Sequence, residues 1–435
     1  MRIPSCRQAQ ETNVDTLKMA RPACCILAVL MLELLGVDSR GEPYELPEER
    51  TAEQVLGPDL VAGPQYRVED PILHDGYTNV YSVSSPLGRF VAHGDTMFVR
   101  LRRELHAIAD LHERNLVGVT AEAAVKETLV PLKALGRLAS KPGQTLAGIP
   151  LGISRLIETS KDSLSYEAGP YEDNSVESFA RVSAFKRRIA AHYHVDPYST
   201  NPILQHELER VAWAHVAGYV TTFALILVPA PNPLPLLLTS LTTVEVLNQA
   251  LEEQGPSELY SLSEKKFEAM QINEELTHQF LTHPSYSPRH RTIIAFALEG
   301  LTKASHRDRF IGAALNALSE EEALFYQQEA ELLLAYNQQK APIVNIDIVG
   351  RIPVGITAEG TLFCPLAMDY GIWSERSESV STRLAKRAAM AGTDAHIEIW
   401  FSGTLSQRAR FELLQRGVAP REHVARDLPL IDWND

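Results

Sequence analysis

Cysteine is scarce in this chain: four in 435 residues, at positions 6, 24, 25 and 364. Three of them crowd the first 25 residues, so beyond that region a single thiol remains. One thiol closes no internal disulfide, which excludes a disulfide-stapled module. It also excludes a zinc knuckle built from several thiolates. Net positive charge is lacking too. The formal charge is -14, which argues against a general nucleic-acid binder, because phosphate contacts need a basic surface. The G-x-S-x-G elbow, the P-loop, H-E-x-x-H and the dinucleotide fingerprint are all missing, and with them the compact signatures of several enzyme classes. No fixed-period repeat emerges, so a solenoid is not expected.

What is present describes a folded protein. At 45% hydrophobic and 22% charged residues, the composition is that of an ordinary globular chain long enough for two or three domains. Near its start, Lys18 and Arg21 precede an apolar run from Ala23 to Leu35, followed by the small residues Gly36, Ser39 and Gly41. Basic start, short apolar core and small exit are the layout of a secretory signal peptide. The run is shorter than the ~20 residues a spanning helix needs. Met19 as the true start would give the signal ordinary proportions, despite Glu33 inside the run. Export to the periplasm or cell envelope is therefore expected. It would remove three cysteines and leave Cys364.

Two further stretches bear on membranes. Residues 211–244 carry no formal charge apart from titratable His215, and Pro229, Pro231, Pro233 and Pro235 split them into two apolar arms. A helical hairpin over Val211–Leu247 follows, since the prolines can continue neither arm. Its arms are short for a bilayer, which favours a buried core hairpin, with a membrane hairpin or a homo-oligomer interface as alternatives. Between Lys126 and Arg155 five basic residues face one acid, Glu127, with leucines interleaved. That pattern suits an anionic membrane surface, and equally a packed helix followed by a glycine-rich loop.

The fold class expected is α+β, predominantly helical. Residues 1–41 read as the signal, and 42–76, rich in Glu and Pro, as a linker or arm. Residues 77–119 read as a β-hairpin around Pro86-Leu87-Gly88 plus a helix opened by Asp95 as N-cap. That helix would bury Phe98, Leu101, Leu105, Ile108 and Leu111, with Arg100, Arg102, Arg103 and Glu104 on its flanks. Residues 120–340 read as a helical domain. Residues 341–435 read as a small α+β module with strands at 343–349, 352–356, 361–363 and 396–401. Its helices are expected over 380–390 and from a Thr404/Gln407 capping box to Gly417.

The phrases Val195-Asp-Pro-Tyr-Ser-Thr-Asn-Pro202 and Ser406-Gln-Arg-Ala-Arg410, with this layout, resemble a family of exported Gram-negative bacterial proteins to which no activity is assigned. The resemblance spans most of the chain after residue 41 and implies export. Neither phrase is a chemical signature.

The sharpest metal-like spacing is His192-Tyr-His194-Val-Asp196. An H-x-H-x-D run can offer two imidazoles and a carboxylate to zinc. Its place at the end of an amphipathic helix also suits a plain helix-terminal histidine. His215 falls on an apolar stripe, and His278, His283, His290 and His306 are scattered over helix ends and read as solvated. Asp369, His396 and Glu398 form no spaced motif. The function expected is non-enzymatic: binding a protein partner or a membrane surface through the helical domain, without a cofactor. The alternative is an exported zinc-dependent hydrolase using His192, His194 and Asp196.

Overall fold

A computed structural model describes residues 43–113, 177–216, 244–390 and 396–424. The signal-like segment, the strip at 126–155 and residues 217–243 of the apolar hairpin lie outside the described residues. The chain divides into two units, residues 1–45 and 46–435; the elements below belong to the second.

Thr51 opens α1 (Ala52–Leu56) with a capping box: its hydroxyl accepts the Gln54 N–H, and the Gln54 side chain accepts its own. An antiparallel sheet follows in the order β1 (Ala62–Gly63), β2 (Tyr66–His74), β3 (Asn79–Ser85), β4 (Gly88–His93). The stretch 42–76 is therefore no simple arm, since it holds a helix and two strands. Val68 and Ile72 of β2 are buried, but the β2–β3 register shifts between Glu69 and Leu73. Such an irregularity breaks the period-two pattern by which a strand is recognised.

Helix α2 (Asp95–Glu113) lies on this sheet and buries Phe98, Leu101, Leu105, Ile108 and Leu111, as its spacing predicts. Phe98 stacks on Tyr81 of β3 with centroids 4.8 Å apart. Its N-cap is Gly94, whose carbonyl accepts the Phe98 N–H; Asp95 is one residue inside. The central helices are α3 (Glu177–His192), α4 (Pro202–Val216), α5 (Val244–Glu253), α6 (Pro256–Ala269), α7 (Glu274–Leu281), α8 (Pro288–Gly300), α9 (Arg307–Ala314) and α10 (Glu320–Gln339). Pro202, Pro256 and Pro288 take first-turn positions, where a missing N–H costs nothing. Ser287 and Ser319 cap α8 and α10.

A five-stranded mixed sheet completes the unit. Strands β5 (Ile343–Val349), β6 (Ile352–Thr357) and β7 (Leu362–Leu366) form an antiparallel meander. Parallel crossovers through α11 (Glu375–Ala389) and α12 (Gln407–Gln415) then add β9 (Ile397–Phe401) and β11 (Val418–Arg421). A short parallel pair joins β8 (Tyr370–Gly371), which follows β7, to β10 (Thr404–Leu405), which follows β9. Tyr336 of α10 stacks on Phe363 of β7 at 3.9 Å, so α10 covers one face. The two crossovers step the same way across the sheet, and right-handed connections place α11 and α12 together on the other. Three expectations change here. Helix α11 starts at Glu375, capped by Ser374; α12 is capped by Ser406 rather than Thr404; and β11 is an additional strand. Among the described residues no helix is long and apolar enough to cross a membrane.

Candidate functional site

Several ionisable side chains that burial perturbs lie along α2. At its first turn, the Asp369 carboxylate accepts the Asp95 N–H on Oδ1 (3.1 Å) and the Asn79 N–H on Oδ2 (2.8 Å). A loop of the C-terminal module thus supplies a carboxyl acceptor to the N-terminus of α2 and to the start of β3. The Asp95 side chain points elsewhere: its Oδ1 accepts from Asn79 Nδ2 (2.8 Å) and from the Tyr81 hydroxyl. Arg50 donates to Asn79 Oδ1 and lies 4.3 Å over the Tyr370 ring. Burial, then the Asp95 charge, push Asp369 well above the usual carboxylate range, against the pull of its two N–H donors. The approach is close enough that a Cβ on Gly403 would stand 1.9 Å from the Asp369 carbonyl oxygen. Only glycine fits there.

In the same turn Thr96 Oγ1 accepts from Gln328 of α10 (2.8 Å), and beyond it Arg100 pairs with Glu320 at 3.1 Å. Glu320 also accepts from the Thr200 hydroxyl at 2.7 Å. Glu104, one further turn along, is buried at 4% exposure, not on the flank. Its Oε1 accepts from the Ser199 hydroxyl and its Oε2 from Asn201 Nδ2 (2.9 Å). The other end of the Asn201 amide caps α4, accepting the Ile203 and Leu204 N–H groups. Residues 195–202 therefore hold α2 and α4 in one register. Burial raises Glu104 to about 7; Ser199, Asn201 and Arg100 oppose the shift, and Glu320 adds to it. A carboxyl near neutrality suits proton transfer, yet both oxygens here are held by donors of the same chain.

A second buried acid, Glu329 of α10, differs. Neither of its oxygens has a hydrogen-bond partner among the described residues. Burial alone raises it well above its usual range, and Cys364 beside it is buried and raised as well. A carboxyl in that position is a neutral acid.

The H-x-H-x-D residues do not converge. His192 and His194 are exposed, His192 with its ring edge on Tyr193 and His194 at φ 54° just past the end of α3. Asp196 is buried, and its Oδ1 folds back to accept the Tyr198 N–H at 2.8 Å. Among the described residues no group of three or more His, Cys, Asp or Glu side chains could hold a metal ion. His215 stacks on Phe185 at 3.6 Å. His290, read as solvated, is fully buried and takes part in the α8 capping box. Glu398 pairs with Lys340 and accepts from Trp400 Nε1 (3.0 Å), away from the hydrogen bonds of Asp369. Sequence reasoning missed Glu104, Glu329 and the capping role of Asp369. A signal existed for the first: Glu104 stands one turn from both Leu101 and Ile108, on the buried face.

The second quoted phrase is also a closure. Ser406 accepts the Ala409 N–H at 2.9 Å. Arg410 engages both oxygens of Glu422 at 2.6 and 2.9 Å, and Glu422 further accepts from Thr404 and the Leu405 N–H. Although burial opposes it, these donors hold Glu422 down at about 2.

Comparison of the chain with protein-family models, with curated proteins and with solved structures finds no match in any of the three.

Proposed function

We propose that the protein is exported to the periplasm or cell envelope and acts there by binding. The observation that carries the binding reading is the contrast between its acids and its outer layer. Glu104, Asp369 and Glu422 each have both carboxylate oxygens occupied by donors of the same chain, which leaves them no free oxygen for a substrate. By contrast, Met390 on α11's C-cap and Phe411 and Leu414 on α12 are 83%, 59% and 56% exposed. Large apolar side chains in the solvent, beside basic ones, are the usual mark of an interaction site when they cluster. Export rests on the signal-like segment and on the family resemblance. The binding role assigned to the helical domain rests on the sequence of residues 126–155 and 211–247.

The zinc-hydrolase alternative is weaker, since two exposed imidazoles and an inward-turned carboxylate make a poor ligand set. Cell fractionation with N-terminal sequencing tests the main reading. The expected result is a processed chain in the periplasmic or envelope fraction, beginning after residue 39 or 41. An unprocessed cytoplasmic chain would overturn it. Metal analysis of the purified protein is expected to give sub-stoichiometric zinc.

A further inference from the structure

We propose that the outward face of the α11–α12 layer docks on an anionic lipid surface. The inference deepens the binding reading above and rests on it. Both helices lie on one face of the C-terminal sheet, and the Arg416–Glu378 pair at 3.0 Å ties the end of α12 to α11. Their inner sides are fixed by burial of Ser381, Leu384 and Ala388 on α11 and of Ala409 and Leu413 on α12. Helical periodicity then turns Thr382, Lys386 and Met390 outward on the first, and Phe411 and Leu414 on the second. All five are exposed.

Charge separates this layer from the rest of the molecule. Residues 375–390 and 407–416 together hold seven bases against three acids, in a chain of net charge -14. Three of the bases serve the fold: Arg387 pairs with Asp347, Arg410 with Glu422, and Arg416 with Glu378 and Glu412. Arg383 and Lys386 are exposed and enter no ion pair among the described residues. Two exposed bases and three exposed apolar tips carried by one layer suit an anionic bilayer surface. The apolar tips enter the headgroup boundary, and the long basic stems keep their charges at the phosphates.

The test uses the full processed chain in vesicle flotation, with phosphatidylcholine alone and with added phosphatidylglycerol. Binding is expected only with the anionic lipid and is expected to weaken as salt rises. Two double variants, F411S/L414S and R383E/K386E, are each expected to reduce binding about tenfold or more. Circular dichroism and thermal melts show whether each variant is folded. The substituted positions are exposed, so folding should persist, and single substitutions F411S and K386E serve if a double variant does not fold. Four results would overturn the inference. Unchanged binding by both variants would place the membrane contact elsewhere and leave the export-and-binding reading standing. Equal binding to uncharged vesicles would remove the anionic partner. Self-association abolished by F411S/L414S would assign the face to a second copy of the chain. No flotation at all would refute lipid docking outright, without bearing on the fractionation result.

Discussion

Replacing Glu104 with Gln should change how stability depends on pH more than it changes stability itself. The folded-state carboxyl titrates near 7 against a reference of 4.5. An acid raised in the folded state binds its proton more tightly there than in the unfolded chain. Stability from this group is therefore greatest below pH 4.5 and falls as pH rises through 7, beyond which the loss is constant. The difference of about 2.5 pKa units corresponds to roughly 3 kcal/mol. Gln keeps the shape and can keep both hydrogen bonds: its carbonyl accepts from Asn201 Nδ2, and its amide donates to Ser199 Oγ, whose proton rotates away. The assay is urea unfolding of the wild type and E104Q from pH 5 to pH 8. At pH 5 the two should lie within about 1 kcal/mol, and by pH 8 the variant should have gained roughly 2–3 kcal/mol on the wild type. Glu320 is also raised but is present in both proteins, so the difference curve reports Glu104. Parallel curves across this range would refute the argument, and so would a variant that loses ground as pH rises.

Asp369→Ala removes the acceptor of two N–H groups and uncaps α2. It should cost about 2–3 kcal/mol, with faster hydrogen exchange at the first turn of α2 as the specific readout. Gly403→Ala forces a methyl into the Asp369 carbonyl; a loss of about 3 kcal/mol or more, or failure to accumulate soluble protein, is the expected outcome. Glu329→Gln should lie within about 1 kcal/mol of the wild type at pH 5, because a neutral acid is exchanged for a neutral amide in a site that pairs neither. At pH 8 that variant should be the more stable, since the unfolded wild-type chain ionises this acid while burial keeps it neutral in the fold. Equal stability at both pH values would count against a neutral Glu329.

Local chemistry made much of the fold legible. Ser287-Pro288 and Ser319 mark helix starts because a cap needs only its own first turn. The apolar face of α2 is likewise carried by periodicity, whereas burial in β5 and β9 does not follow strict alternation. What stayed hidden depends on distant partners. Strand β2 loses its period at an irregularity imposed by its pairing with β3. The N-terminal polarity of α2 is completed by Asp369, far along the chain.

The clearest case is Glu104, whose position lay on the buried face while its residue type suggested solvent. A carboxylate is admitted there because Ser199 and Asn201 arrive from another segment to satisfy both oxygens. The phrase Val195–Pro202 is thus explained without chemistry of reaction. Asn201 must present its amide nitrogen to Glu104 and its oxygen to the α4 N-terminus at once, Pro202 must begin that helix, and Ser199 must reach the second carboxylate oxygen. Asp196 turns its carboxylate to the Tyr198 N–H within the same loop. The H-x-H-x-D spacing overlaps this loop, so its aspartate is already committed to loop structure while its histidines remain in solvent. A shared requirement for one buried acid accounts for more of these residues than a metal does.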